Sequence, residues 1–310
     1  MVKLAKKLGI VLLPIVIYFG IFIYFEPYNY FGIKQSEYTG DSAIVRVRSF
    51  NENKENAIIL GDSRMAHFDM ELAQGYAKKP ISQLSFGGAS FNESMDLFDY
   101  ALEQNPNIDT VYFGVSFYTL NESYFKDRMS QIKTIATNPF AYMLNFNYNI
   151  EMLNEIVWKI RGIENVASDN EGHWTAADYQ NEDGTVRKYR KDLEAFAQTI
   201  YGVCTAVPYK IDTPDVERYI KIAKLCKEKG IKLYTILPPM DNSLKDLVVD
   251  KLGIGEDILE FIAAVEPYSE VLNYEYNPEN PFTQEQFYDG FHLDKVTGLP
   301  QFTKMLFERG

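Results

Sequence analysis

Residues 57–76 read AIILGDSRMAHFDMELAQGY. Ala57 to Leu60 is a short apolar run that stops at Gly61, and from Asp62 onward the spacing turns helical. A strand that passes into a helix across one polar turn opens a βα unit. The same grammar recurs along the chain. PISQLSFGG (80–88) precedes the helix-like SFNESMDLFDYALEQN (90–105), and TVYFGVS (110–116) is a third strand candidate. PDVERYIKIAKLCKEKG (214–230) has a helical apolar period with a Gly stop, and it leads into IKLYTILPP (231–239). VLNYEY (271–276) is a last strand and LDKVTGLPQFTKMLFER (293–309) a closing helix. Strands alternating with helices of this length predict an α/β fold, a parallel sheet covered on both faces.

Composition narrows the function classes. The chain has 310 residues, 46% hydrophobic and 24% charged, enough apolar material for a full core and too much for wholesale disorder. Lys+Arg 31 against Asp+Glu 43 leaves a net charge of -12. That balance opposes a nucleic-acid partner, which needs a basic face to track phosphates. Two cysteines and three scattered histidines predict neither a disulfide scaffold nor a metal centre, and no cofactor motif appears. Cys204 and Cys226 are the one possible pair.

The N-terminus predicts the compartment. Lys3, Lys6 and Lys7 precede an uncharged stretch from Leu8 to Phe25, which Glu26 and Pro27 end. As a helix it rises about 27 Å, close to the roughly 30 Å of a bilayer core. The basic flank predicts a cytoplasmic N-terminus and a single-pass membrane protein whose ectodomain is extracytoplasmic. A cleaved signal peptide is the rival, but YFEPYNYF offers no small-residue cleavage site and reads as an interfacial aromatic belt. The anchor takes three lysines and no acid, so the remainder is more acidic than the whole. The expected organisation is an anchor at 1–26, a polar and aromatic connector at 27–55, and an α/β domain at 56–310. An insertion at about 118–210 interrupts that domain over the carboxyl edge of the sheet, where ligand sites form in open α/β folds. It carries the basic run Arg187, Lys188, Arg190 and Lys191, read mainly as a solvated helix face. The aromatic residues of 140–150 read as packing within the insertion or, second, as the lining of a sugar groove.

Chemistry concentrates at two places. Ser63 follows strand one at the start of a helix, beside amides that can hold an oxyanion, although Asp and Ser there also serve as ordinary caps. Asp289 precedes His292 by three residues in the loop before the last helix. A carboxylate so placed can orient the imidazole and leave its other nitrogen free as a base. Ser, then Asp, then His is one of the chain orders in which such triads recur. Ser116 as the nucleophile is a weaker reading, because Gly114-Val115-Ser116-Phe117-Tyr118 has Tyr where an elbow needs Gly. SFGGAS lacks the spacing of a phosphate cradle. His67 reads as a local partner of the site loop. Arg64 pairs either with a substrate anion or with Asp69.

Gly61-Asp62-Ser63, the Gly87-Gly88 block, the small polar end of strand three and the D-x-x-H before the last helix together resemble the SGNH, or GDSL-like, hydrolases. The resemblance covers about residues 56–118 and 230–310. It implies a three-layer flavodoxin-like fold, Ser63 as nucleophile, Asp289 and His292 as its partners, and an oxyanion hole from the Ser63 and Gly88 or Gly87 amides. The third block departs from the family pattern: Gly114-Val115-Ser116-Phe117 has no Asn until Asn121, so either the Ser116 hydroxyl substitutes as donor or the hole is weakened. Asp62, Arg64, His67 and Asn121 become candidate substrate contacts. With the anchor included, the chain is similar to the membrane-bound SGNH-like proteins of bacterial cell-surface acylation. That likeness implies an acyl ester of cell-surface polysaccharide, teichoic acid or peptidoglycan as substrate, and a membrane-bound O-acyltransferase as partner. The expected activity is a serine esterase or O-acyltransferase. A non-catalytic partner subunit of the same fold and a lipid or thioester hydrolase are the alternatives.

Overall fold

Three of the five strands, those that begin at Ala57, Thr110 and Lys232, are largely apolar and buried, as the inner strands of a parallel sheet must be. In chain order the five are β1 (Ala57–Leu60), β2 (Ile81–Gln83), β3 (Thr110–Gly114), β4 (Lys232–Leu237) and β5 (Glu270–Asn273). All pair in parallel in the order β2-β1-β3-β4-β5, with Ile59 opposite Tyr112, Tyr112 opposite Tyr234 and Ile236 opposite Leu272. The computed structural model describes residues 2–33, 42–161, 192–277 and 280–309. The first helices are α1 (Val2–Phe25), α2 (Ala43–Asn53), α3 (Ser63–Ala66), α4 (Met70–Ala77) and α5 (Phe91–Gln104). Then come α6 (Met129–Thr137), α7 (Pro139–Met143), α8 (Phe146–Ile160), α9 (Leu193–Ala206) and α10 (Thr213–Lys229). The last are α11 (Asn242–Leu244), α12 (Ile254–Val265) and α13 (Gly298–Phe307).

The chain divides into two compact units, Met1–Arg48 with Ser130–His173, and Ser49–Met129 with Trp174–Gly310. The second holds the sheet. Ile59, Tyr112, Tyr234 and Ile236 point to one face, where Phe302, Leu306 and Phe307 of α13 join the same core. On the other face Phe113 meets Tyr219 of α10 at 4.8 Å and Phe91 of α5 at 6.0 Å, while the Tyr219 hydroxyl bonds to Thr235 at 2.7 Å. Helices therefore cover both faces. The strand order reverses between β1 and β3, and at such a switch point a crevice opens beyond the carboxyl ends of the strands.

Met65 fills the bottom of that crevice. A Cβ on Gly114 would lie 2.2 Å from Met65 Cγ. Gly114→Ala should therefore push α3 off the end of β3 and destabilise the fold by about 1–3 kcal/mol, read as a lower urea midpoint at unchanged slope.

In the first unit, α1 contains one span, Lys6–Phe25, long and apolar enough to cross a membrane. Its C-terminal end packs on α7: Tyr142 meets Phe22 edge-on at 5.3 Å and stacks on Tyr30, just past the helix, with centroids 4.2 Å apart. Tyr142 is thus a packing residue, whereas Phe140 and Phe146 are exposed.

Several boundaries differ from the sequence reading. The helix expected after Asp62 is two helices, because Asp69 accepts the Leu72 amide and restarts the chain as α4. The second strand ends at Gln83, and Leu84 to Gly88 runs on as a loop. The closing helix starts at Gly298 because Asp294 captures the amides of Val296, Thr297 and Gly298 in a turn. The 27–55 connector contains α2. Cys204 and Cys226 are both free thiols, and burial pushes the Cys226 thiol up to about 12. The Arg187–Lys191 basic run lies outside the described residues.

Candidate active site

Ser63 is the first residue of α3, directly beyond β1, with Asp62 as its cap: Asp62 Oδ1 accepts the Arg64 amide at 3.0 Å. The Ser63 amide, in the first turn of a helix, has no intrahelical acceptor. After β2 the chain stays beside this turn. Leu84 donates to Ile59 O at 2.9 Å and Phe86 to Gly61 O at 3.3 Å, which carries Gly87 and Gly88 to the level of Ser63. Gly88 takes φ +63, a conformation that a side chain resists, and the Ala89 amide closes the turn on Phe86 O at 3.2 Å. The Gly88 carbonyl accepts from Lys126 Nζ at 2.7 Å and from Arg128 at 2.9 Å, and Arg128 is anchored on buried Glu93.

The other half of the site is the loop before α13. An antiparallel bridge between Phe287 and Leu293 pinches its ends, and Tyr288 N–H donates to His292 O at 2.8 Å. Inside the loop, Asp289 Oδ1 accepts the amides of Phe291 and His292, each at 2.8 Å. His292 Nδ1 lies 3.0 Å from Asp289 Oδ1, and His292 Nε2 lies 2.8 Å from Ser63 Oγ. A carboxylate can only accept, so Nδ1 carries the hydrogen and Nε2 is left to accept from the serine hydroxyl. The three residues picked from the sequence form one hydrogen-bonded line.

Charge completes the arrangement. Burial raises the Asp289 carboxyl, but the His292 imidazolium, its ring N–H and the two amides outweigh it and hold Asp289 well below the usual carboxylate range. Burial likewise disfavours the His292 cation, yet Asp289 prevails and raises the imidazole above its ordinary value. Asp289 therefore stays ionised and His292 becomes a stronger base than a free imidazole.

The remaining candidates fall elsewhere. Arg64 is turned inward: its guanidinium pairs with Glu275 and donates to Ser116 Oγ at 2.9 Å and to the carbonyls of Pro238 and Pro239. It meets neither Asp69 nor an open face, since its side chain is 1% exposed and that of Glu275 0%. Glu275 also accepts the Phe117 amide at 2.9 Å; burial raises its carboxyl to about 6 against the pull of Arg64. The second carboxylate oxygen of Asp62 accepts from the Tyr118 hydroxyl, and the Ser116 hydroxyl lies 3.5 Å away. Asp62 is thus a structural cap. The Ser116 hydroxyl sits in this buried network, accepting from Arg64, and its amide donates to Thr119 Oγ1 at 3.0 Å, so both groups are engaged inside the fold. Asn121 caps a short helical turn and bridges to Ile211. His67 alone remains by the triad, its ring centroid 6.3 Å from that of His292.

Glu275 and Tyr118 escaped the sequence reading. The one available signal was an acid closing the apolar strand VLNYE, where a buried carboxylate demands a cation. A pocket opens beside Ser63 and His292, walled by Pro239, Phe291, Leu293, Leu299 and Phe302. Its apolar lining suits the hydrocarbon part of a substrate. Among the described residues, no group of three or more His, Cys, Asp or Glu is placed to hold a metal. No protein-family model matches the chain, and no curated protein matches it.

Proposed function

We propose that the chain is a membrane-anchored extracytoplasmic serine esterase or O-acyltransferase with a flavodoxin-like SGNH fold. One observation carries the reading: the line Ser63 Oγ, His292 Nε2, His292 Nδ1, Asp289, with contacts of 2.8 and 3.0 Å. Ser63 attacks an acyl carbonyl as His292 takes its proton. The negative charge of the tetrahedral adduct falls on the Ser63 and Gly88 amides. Collapse breaks the ester bond, His292 returns the proton to the leaving alcohol, and an acyl-serine remains. Water or a sugar hydroxyl, deprotonated by the same imidazole, then takes the acyl group. The anchor fits a substrate at the cell surface, an acyl ester of polysaccharide, teichoic acid or peptidoglycan, with a membrane-bound O-acyltransferase as neighbour.

A second reading, a non-catalytic partner subunit, draws on Ser116. Both its hydroxyl and its amide are spent inside the fold, which leaves the oxyanion site without the third donor that the family likeness implies.

The pH profile tests the first reading. Hydrolysis of an activated ester by the solubilised full-length chain should rise with pH as His292 loses its proton, with a midpoint above ~6.5 because Asp289 favours the cation. Asp289→Asn should lower the midpoint and cut the rate by roughly 10³–10⁴-fold through the wrong tautomer. His67→Ala should keep the limb. Exchange of these outcomes assigns the base to His67.

A further inference from the structure

Helix α8 presents Phe146, Ile150, Leu153, Val157 and Ile160 to the outside, a stripe at spacings of four and three residues. Phe146 is 75% and Ile160 80% exposed. Such a stripe normally faces a core. Here the buried side of the helix is a different one, marked by Met152, and Asn147, Glu151, Asn154 and Glu155 fall on a third. Phe140 and Leu144, just before α8, are exposed too.

What lies beside α8 identifies its solvent. The helix runs in the same sense as α1. Tyr18 Oη donates to Met143 O at 2.6 Å and bonds to Asn149 at 2.8 Å, while Lys159 reaches the Tyr24 hydroxyl at 3.2 Å. Phe19 of α1 also meets Phe140 at 6.2 Å. The α7–α8 turn therefore lies against the last turns of α1 and the residues just past it, since Tyr148 meets Tyr28 at 5.6 Å and the Tyr142 hydroxyl donates to Glu26 at 2.9 Å. Its deepest contact, Tyr18, is seven residues before Phe25 and about 10 Å below that end of the span. If α1 crosses the bilayer, the α7–α8 turn lies within it.

The turn is built for that depth. Backbone polar groups in hydrocarbon must be satisfied internally. Met143 O accepts from both Tyr18 and Asn149 Nδ2, and Asn145 O accepts from Asn149 as well. The Leu144 and Asn145 amides donate to Phe140 O and Tyr142 O. The side chains of Asn138 and Asn145 cap the first amides of α7 and α8. At the other end, Trp158 and Lys159 stand level with Tyr24, the residue types of a headgroup interface.

We propose that α7 and α8 form a re-entrant hairpin in the outer leaflet beside α1, its apolar stripe facing lipid acyl chains. This rests on the reading of α1 as a membrane span.

The test uses the full-length chain alone in lipid nanodiscs, with Cys204→Ser and Cys226→Ala as background. A polarity-sensitive fluorophore is attached through Val16→Cys in α1, through Ile150→Cys, Leu153→Cys or Ile160→Cys in α8, and through Glu228→Cys on exposed α10. All these positions accept a label without disturbing packing. Spin-labelled lipids quench either near the headgroup or deep in the chain. The α8 labels should be blue-shifted and lipid-quenched, Ile150 more by the deep label and Ile160 more by the shallow one, with Glu228 open to a water-soluble quencher. Lipid quenching at Val16 with water access along α8 overturns the proposal and leaves the stripe to a protein partner. Equal, shallow quenching along α8 overturns it too, because the helix then lies flat on the surface. Absence of quenching at Val16 removes the span itself, and the hairpin with it.

Discussion

Ser63→Ala should abolish covalent labelling by a fluorophosphonate and lower ester hydrolysis by roughly 10³-fold or more. The serine contributes one hydroxyl to the fold, bonded to His292 at 2.8 Å, so alanine leaves no large cavity and the thermal midpoint should barely move. Loss of labelling with intact folding therefore reports chemistry. His292→Ala should also prevent labelling in a chain that retains Ser63, because an unassisted serine hydroxyl is a poor nucleophile. Recovery of an acyl group on Ser63 by mass spectrometry, after incubation with an activated acyl ester, identifies the intermediate. A polysaccharide or muropeptide acceptor that then takes the acyl group in preference to water separates transfer from hydrolysis. A folded protein whose Ser63 resists every reagent, and whose Ser63→Ala form still supports surface acylation in cells, stands as the partner subunit.

How far the chain could be read in advance depended on whether a feature was local. β1, β3, β4, α5 and α10 were legible because each is a short apolar run or an amphipathic period closed by a cap: the capping box of Ser90 and Glu93, or Gly230 at φ +71. The hydrogen-bonded line of Ser63, His292 and Asp289 was legible for the same reason. Asp289 and His292 are three residues apart in one loop, and Ser63 follows the strand whose end must face that loop in a parallel sheet. Less was visible where tertiary contacts overrule local preference. Asp69 in FDMEL is a residue type that favours caps over helix interiors, but the apolar period runs on across it and masks the break between the two helices. α12 was overlooked although Ile254, Ile258, Phe261 and Val265, all buried, keep a helical period; the adjoining Gly253 and Gly255 disguised its start as a loop. Arg64 was misread for a different cause. Its partner Glu275 lies 211 residues away, and only the strand order brings the two together.

That pair should produce the largest change in stability. Glu275→Leu removes the counter-charge of a guanidinium that is almost wholly enclosed, and it strips the acceptor from the Phe117 amide. Breaking one partner of such a buried pair costs about 3–5 kcal/mol, so the urea midpoint of the full-length chain should fall steeply. Arg64→Met alone should cost a similar amount, because Glu275 is then the unpaired charge. The double variant Arg64→Met/Glu275→Leu should recover much of the loss, since apolar groups of like size replace buried ion pairs with little penalty. Activity should not recover with it. Arg64 is the neighbour of Ser63, and its donors reach the loops after β3, β4 and β5 through Ser116, Pro238, Pro239 and Glu275. One guanidinium thus fixes the Ser63 turn against three other strand ends, and a displacement of about 1 Å at a reacting group can cost 10²-fold in rate. The double variant should therefore show near-parental stability, a slow labelling rate at Ser63 and an unshifted pH midpoint, because Asp289 and His292 are untouched. Parental labelling in the double variant would reduce the Arg64–Glu275 pair to a stability element and leave the placement of Ser63 to β1 and the Asp62 cap.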